Sequence, residues 1–200
     1  MTGTTTVGVT YKNGVVLAAD KRATAGHLIA SKTAKKIYKI ANHIGITTAG
    51  GVADTQNLVS ILKAETELFK LKTSKDIELN SIATLTSNIL HSNRFFPYLA
   101  QLLIGGVDSA GPHVFMLDPF GALLKDKYLA SGSGSLTAYG VLEDGFKDEI
   151  TEQEAINLSI RSVLAAQQRD SASGNGIMVV NITKKGYTEL TDSAIEKYTK

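Results

Sequence analysis

The sequence predicts an α+β fold, largely antiparallel sheets covered by pairs of helices, and three observations carry that prediction. Short β-branched runs recur in twos around tight-turn residues, which marks hairpins rather than parallel crossovers. Segments with apolar residues spaced by three, four and seven come in pairs instead of alternating singly with strands. The resulting order of strands, two helices, strands, two helices, strands suits helices laid over sheet faces. No linker, repeat or low-complexity segment interrupts the 200 residues, so one domain is expected.

Residues 4–10 alternate through Thr5, Val7 and Val9, and residues 15–20 complete a hairpin about Asn13-Gly14. A type I′ turn there would use the tolerance of both residues for positive φ. Residues 36–40 and 44–49 form a second pair about Asn42-His43. Asp54 is the expected N-cap of a long helix with Leu58, Ile61, Leu62, Leu68 and Phe69 on or near one face. A second helix covers residues 80–93, with Ile82, Leu85, Ile89 and Leu90 as its stripe. Strands return at residues 101–107, 114–117 and 122–130, the last two parted by the turn Asp118-Pro119-Phe120-Gly121. A third helix spans residues 136–143. The fourth begins at Thr151, which forms a capping box with Glu154 and sends Ile156, Ile160, Val163 and Leu164 inward. Residues 177–182 and 187–190 make a last hairpin around Lys184-Lys185-Gly186, and a short helix ends the chain.

Composition narrows the function. Hydrophobic residues are 43% of the chain, enough for a sizeable core, and the net charge of +2 is too small to argue for nucleic acid or an anionic membrane. The absence of cysteine excludes disulfides, thiolate metal sites and cysteine nucleophiles. His27, His43, His91 and His113 lack ligand spacing, so no metal is expected. No apolar run reaches membrane-span length and the N-terminus lacks the regions of a secretory signal, so a cytoplasmic protein is expected.

Chemistry concentrates near the start. Three threonines follow Gly3, and cleavage of the Gly3-Thr4 bond would leave Thr4 with a free α-amine beside its own hydroxyl. Such an amine titrates near about 7.7–8.0 and can take the hydroxyl proton at neutral pH, which a threonine needs before it can attack an amide. Glycine at position 3 would let the backbone bend at the bond to be cut. Asp20, Arg22 and Thr24 stand at the end of the second strand. Lys36 opens the third, behind Ser31, Thr33 and Ala34. Thr48-Ala49-Gly50-Gly51 leads into a helix N-terminus, where backbone N–H groups can receive an oxyanion. A buried pairing of Lys36 with Asp20 would be expensive, and function would best explain it.

Several segments resemble the proteasome β-subunit family: G-T-T-T-V-G at 3–8, A-A-D-K-R-A-T at 18–24, T-A-G-G at 48–51, G-S-G-S at 132–135 and Y-G-V-L-E at 139–143. The most specific is R-D-S-A-S-G at 169–174, after an amphipathic helix, and the match runs in order over nearly the whole chain. The glycine-serine run alone is unspecific, with Thr137 where a dinucleotide loop has its third glycine.

The resemblance implies the four-layer αββα sandwich of N-terminal nucleophile hydrolases and threonine endopeptidase activity. It implies Thr4 as nucleophile and Lys36 beside its hydroxyl, lowering the hydroxyl pKa. Asp20 would hold Lys36, and the Gly50 N–H would form the oxyanion hole. Ser133, Asp170 and Ser173 would orient the Thr4 amine. The substrate would add as a strand along Thr24 and Gly50. Its side chain would enter a pocket of Ala23, Ala34, Thr48 and Val52, suited to medium-to-large neutral groups. No cofactor is implied. The partners implied are α-subunits, further β-subunits in heptameric rings, an ATP-dependent unfoldase and unfolded polypeptide. Residues 1–3 would be a short leader of archaeal type, removed by self-cleavage, and residues 4–200 the mature domain. The alternative is a structural β-subunit of the same particle that never matures. A bacterial ATP-dependent protease ring subunit or a non-proteolytic amidase is disfavoured by R-D-S-A-S-G and Y-G-V-L-E together.

Overall fold

A computed structural model describes residues 3–198, so Met1 and Thr2 of the expected leader lie outside the described residues. The chain begins with β1 (Thr6–Tyr11), β2 (Gly14–Asp20), the small hairpin β3 (Ala23–Ala25) and β4 (Leu28–Ser31), then β5 (Ile37–Ala41) and β6 (Ile44–Gly50). Helices α1 (Val52–Thr73) and α2 (Leu79–Ser92) follow, then β7 (Ala100–Asp108), β8 (Gly111–Leu117), β9 (Leu123–Asp126) and β10 (Tyr128–Ser131). Helices α3 (Ser135–Gly145) and α4 (Glu152–Arg169) precede β11 (Ile177–Thr183) and β12 (Gly186–Glu189). The described chain closes with α5 (Asp192–Ile195) and a 3₁₀ turn.

Two five-stranded sheets result, in the orders β10-β1-β2-β11-β12 and β5-β6-β7-β8-β9, with every pairing antiparallel. Side-chain alternation sorts residues into layers. On β2, Val15, Leu17 and Ala19 enter the apolar layer between the sheets, together with Leu103, Val114 and Val180. Val16 and Ala18 point the other way, joining Val7 and Val179 under Leu142, Ile160 and Val163 of α3 and α4. Leu58, Leu62, Ile82 and Leu90 of α1 and α2 cover Ile44, Ile46, Leu102 and Ile104 of the second sheet. The layers therefore run helix, sheet, sheet, helix, and β2 is buried on both faces. At one end of the sandwich Thr47 Oγ1 donates to Thr6 Oγ1 (3.0 Å), which shares a hydrogen with Ser131 Oγ (2.8 Å), a buried polar link across the two sheets.

Four expectations need correction. The first turn is centred on Lys12-Asn13, since Tyr11 pairs with Gly14, and neither Asn13 nor Gly14 takes a positive φ, so no type I′ turn forms. Asp54 is not the N-cap of α1. Gly51 is, because β6 runs almost directly into the helix, and Asp54 in the first turn accepts from the Leu99 N–H at 2.9 Å. Leu68 and Phe69 lie at 42% and 37% exposure: Leu68 is turned away from the face that Leu58, Leu62 and Thr66 bury, and Phe69, on that face, lies past its last buried residue. Residues 122–130 form two strands in different sheets. The chain crosses at Lys127, whose carbonyl accepts from Thr10 N and Thr10 Oγ1 at 2.8 Å each. The polar residues Lys125-Asp126-Lys127 sit at that crossing, but which sheet each strand joins is set by its distant partners, β8 and β1. The hairpin of β3 and β4, not anticipated, consists of strands too short and too exposed to show a periodic pattern.

The capping box of α4 has both halves: Thr151 Oγ1 accepts from Glu154 N (3.3 Å) and Glu154 Oε2 from Thr151 N (2.9 Å). Thr151→Ala should cost about 1 kcal/mol in urea unfolding. Among the described residues no helix is long and apolar enough to cross a membrane.

Candidate active site

Asp20 ends β2 and is fully buried. Its carboxylate takes four donors: Lys36 Nζ (2.6 Å) and Thr5 N (3.0 Å) on Oδ1, Gly174 N (2.9 Å) and Arg22 N (3.0 Å) on Oδ2. Lys36, one residue before β5, is 6% exposed. Burial pulls the Lys36 ammonium below its ordinary value, and the charge and hydrogen bond of Asp20 oppose that pull. The costly buried pair considered from the sequence is therefore present, and its charges meet beside the first threonines.

Thr4 is 4% exposed, and its Oγ1 donates to the Gly3 carbonyl at 2.6 Å. Thr4 N donates to Ser133 Oγ at 3.1 Å. Ser133 and Ser173 each donate to Asp170 Oδ2 at 2.6 Å, so Asp170, at the C-cap of α4, gathers both hydroxyls; Ser133 meets the Thr4 nitrogen, whereas Ser173, expected to orient it, meets Thr5 Oγ1 instead. The R-D-S-A-S-G segment at 169–174 thus wraps the site. Asp170 Oδ1 accepts from Ala172 N (3.1 Å), Gly174 N reaches Asp20, and Arg22 Nη1 donates to the Ser171 carbonyl (2.6 Å).

Gly3 has a physical reason beyond a bend. A Cβ there would collide with Ala172 Cβ, so only glycine fits between that loop and Thr24, whose Oγ1 accepts from Gly3 N at 3.0 Å. Gly50 has φ +126° at the end of β6, where a side chain would strike the Leu99 carbonyl, so the chain turns from strand to helix through a conformation L residues rarely adopt.

A cavity of about 480 Å³ opens on Thr4. It is lined by every residue expected for the substrate pocket: Ala23, Thr24, Ala34, Thr48 and Val52, beside Lys36 and Gly50. Tyr38 and Gln56 line it too, and sequence reasoning missed them; their place one strand turn or helix turn from expected residues was the available signal. Thr5 was also missed as part of the site, and so was Gln101, whose Oε1 accepts from Gly132 N at 3.1 Å and steadies the Ser133 loop. Larger cavities lie elsewhere, such as one of about 610 Å³ near Lys39, Asp108 and Lys184, which shares no lining residue with this one. Among the described residues no three His, Cys, Asp or Glu side chains are grouped to hold a metal ion.

Comparison with known proteins finds relatives along nearly the whole chain. The family model described as proteasome subunit matches residues 1–182. The proteasome subunit beta of Methanosphaerula palustris is 51% identical over 198 residues, covering 98% of this chain and 94% of its own. That of Ferroglobus placidus is 52% identical, with 97% and 93% covered, and that of Archaeoglobus fulgidus 52% identical, with 98% and 92% covered. With this likeness along nearly the full chain, joined to a helix–sheet–sheet–helix sandwich, the chain belongs to the proteasome subunit family.

Proposed function

We propose that this chain is a threonine endopeptidase subunit of a proteasome core particle, cutting unfolded polypeptides with Thr4 after loss of residues 1–3, and that residues 4–200 are the mature domain. The observation that carries the reading is a convergence at one end of the cavity. Thr4 and Lys36 both line it, with Asp20 paired to Lys36 behind and the Ser133 hydroxyl holding the Thr4 nitrogen. Assembly with α-subunits in stacked rings, supply of substrate by an ATP-dependent unfoldase and a cytoplasmic setting belong to the same reading.

The chemistry follows from the positions. In the cleaved chain the Thr4 α-amine takes the Oγ1 proton as Oγ1 bonds to the substrate carbonyl carbon. The carbonyl oxygen becomes an oxyanion facing the Gly50 N–H. Collapse breaks the C–N bond, the ammonium returns its proton to the leaving amine, and an ester on Thr4 remains. Water then attacks that ester by the same proton route. Lys36 supplies positive charge beside the developing alkoxide, and Ser133 fixes the amine by accepting one of its hydrogens. In the uncleaved chain Thr4 Oγ1 already lies against the Gly3 carbonyl group, which supports self-cleavage of that bond.

Particles assembled with α-subunits should hydrolyse fluorogenic peptides, and no hydrolysis by fully cleaved particles would sink the reading. The small uncharged residues Ala23, Ala34, Thr48 and Val52, with Tyr38 and beside Lys35 and Lys36, predict preference for medium-to-large neutral side chains at the cleaved bond. Faster cleavage after acidic residues would contradict that. Gly3→Ala should slow self-cleavage at least about tenfold through its collision with Ala172, and adding Ala172→Gly should restore part of the rate, since the new Cβ would still lie 2.9 Å from Ser133 Oγ; intact mass against time reads both.

A further inference from the structure

Thr5 is fully buried and takes no part in the bond chemistry described above, yet it touches both halves of the site. Its N–H donates to Asp20 Oδ1, the oxygen that also holds Lys36, and its carbonyl accepts from Asp20 N at 3.2 Å. Its hydroxyl lies 2.7 Å from Ser173 Oγ. The proton directions can be assigned by counting hydrogens. Ser173 has one hydroxyl hydrogen and gives it to Asp170 at 2.6 Å, so Thr5 Oγ1 must donate to Ser173. Ser133 likewise gives its hydrogen to Asp170 and accepts from Thr4 N. Two chains therefore point the same way, Thr4 N to Ser133 to Asp170 and Thr5 Oγ1 to Ser173 to Asp170.

The hydroxyl has little room to do otherwise. A Cβ on Gly134 would collide with Thr5 Oγ1 and lie 3.3 Å from Asp170 Oδ2, so the start of α3 is pressed onto this junction. Polar groups buried this closely polarise one another, and an acceptor left without its donor is costly.

We infer that Thr5 is a positioning residue for the reaction at Thr4: it clamps the Asp20–Lys36 pair to the Asp170 hydroxyl network, so that the nucleophile's charge partner and its amine keep one registration. The inference rests on the peptidase reading above. It concerns a residue that acts through Asp20 and Ser173 and does not itself touch substrate.

The test uses assembled particles of wild type, Thr5→Val, which keeps the shape and loses the hydroxyl, and Thr5→Ser, which keeps the hydroxyl. Intact mass gives the cleaved fraction, and peptide hydrolysis is expressed per cleaved chain. The expected result for Thr5→Val is a fall in kcat of about tenfold with KM unchanged, and for Thr5→Ser a return to within about twofold of wild type. In a Ser173→Ala background the loss from Thr5→Val should largely vanish, because the two hydroxyls act in series. Equal kcat in Thr5→Val and wild type, or losses that simply multiply with Ser173→Ala, would overturn the inference alone. A cleaved wild type that hydrolyses no peptide would overturn the peptidase reading and the inference with it. Should Thr5→Val fail to assemble, Thr5→Ala takes its place; failure of both beside a normal Thr5→Ser would assign the hydroxyl to folding and overturn the inference.

Discussion

Thr4→Ala is expected to abolish peptide hydrolysis, with the rate per assembled particle falling by about four orders of magnitude or more. The loss should be a loss of chemistry and not of fold. Thr4 Oγ1 has the Gly3 carbonyl as its one hydrogen-bond partner among the described residues, so removing it strands no buried group elsewhere. Lys36 keeps Asp20, and Ser133 keeps Asp170. Thr4→Ser should behave otherwise, since it retains both a hydroxyl and, once cleaved, an amine on the same residue. Measured rates for the two variants separate a nucleophile from a packing residue: alanine and serine variants that are equally active would contradict the role.

Asp20→Ala should give the largest loss of stability, about 3–5 kcal/mol in urea unfolding. The change strips the counter-charge from a lysine that is 6% exposed, and it also leaves the buried N–H groups of Thr5 and Gly174 without their acceptor. The pH dependence carries a signature. Burial already holds Lys36 below its ordinary value of 10.5. Between that lowered value and 10.5 the unfolded chain binds more protons than the folded one, so stability rises with pH across that window. Without Asp20 the folded value drops further, the window widens downward, and the variant should regain more stability on raising pH than wild type does. A variant whose deficit stayed constant with pH would show that Lys36 is not the group being stranded.

Much of this was legible in the residues. The strand blocks, the helix pairs and the capping box at Thr151 followed from local periodicity and cap chemistry, which act over a few residues. What failed was long-range. At Lys127 the largely exposed β9 gives way to the largely buried β10, but which sheet each strand joins is set by its distant partners, β8 and β1. Nor could Asp54 declare that Gly50, through its positive φ, would start the helix early and hand the Asp54 carboxylate to Leu99. The site divides along the same line. Thr4, Asp20, Lys36 and Asp170 stood out as chemistry-bearing residues in motif segments. Thr5 and Gln101 did not, because their importance lies in which distant groups they meet, Ser173 across 168 residues and the Gly132 N–H across 31.

The central claim is that Thr4 becomes the N-terminus and then the nucleophile. Intact mass and N-terminal sequencing of the chain after assembly with α-subunits test it most directly. A new N-terminus at Thr4 in the wild type, with residues 1–3 retained in Thr4→Ala, is the predicted result. Fully assembled wild-type particles that keep Met1-Thr2-Gly3 would contradict it and leave a structural subunit in its place.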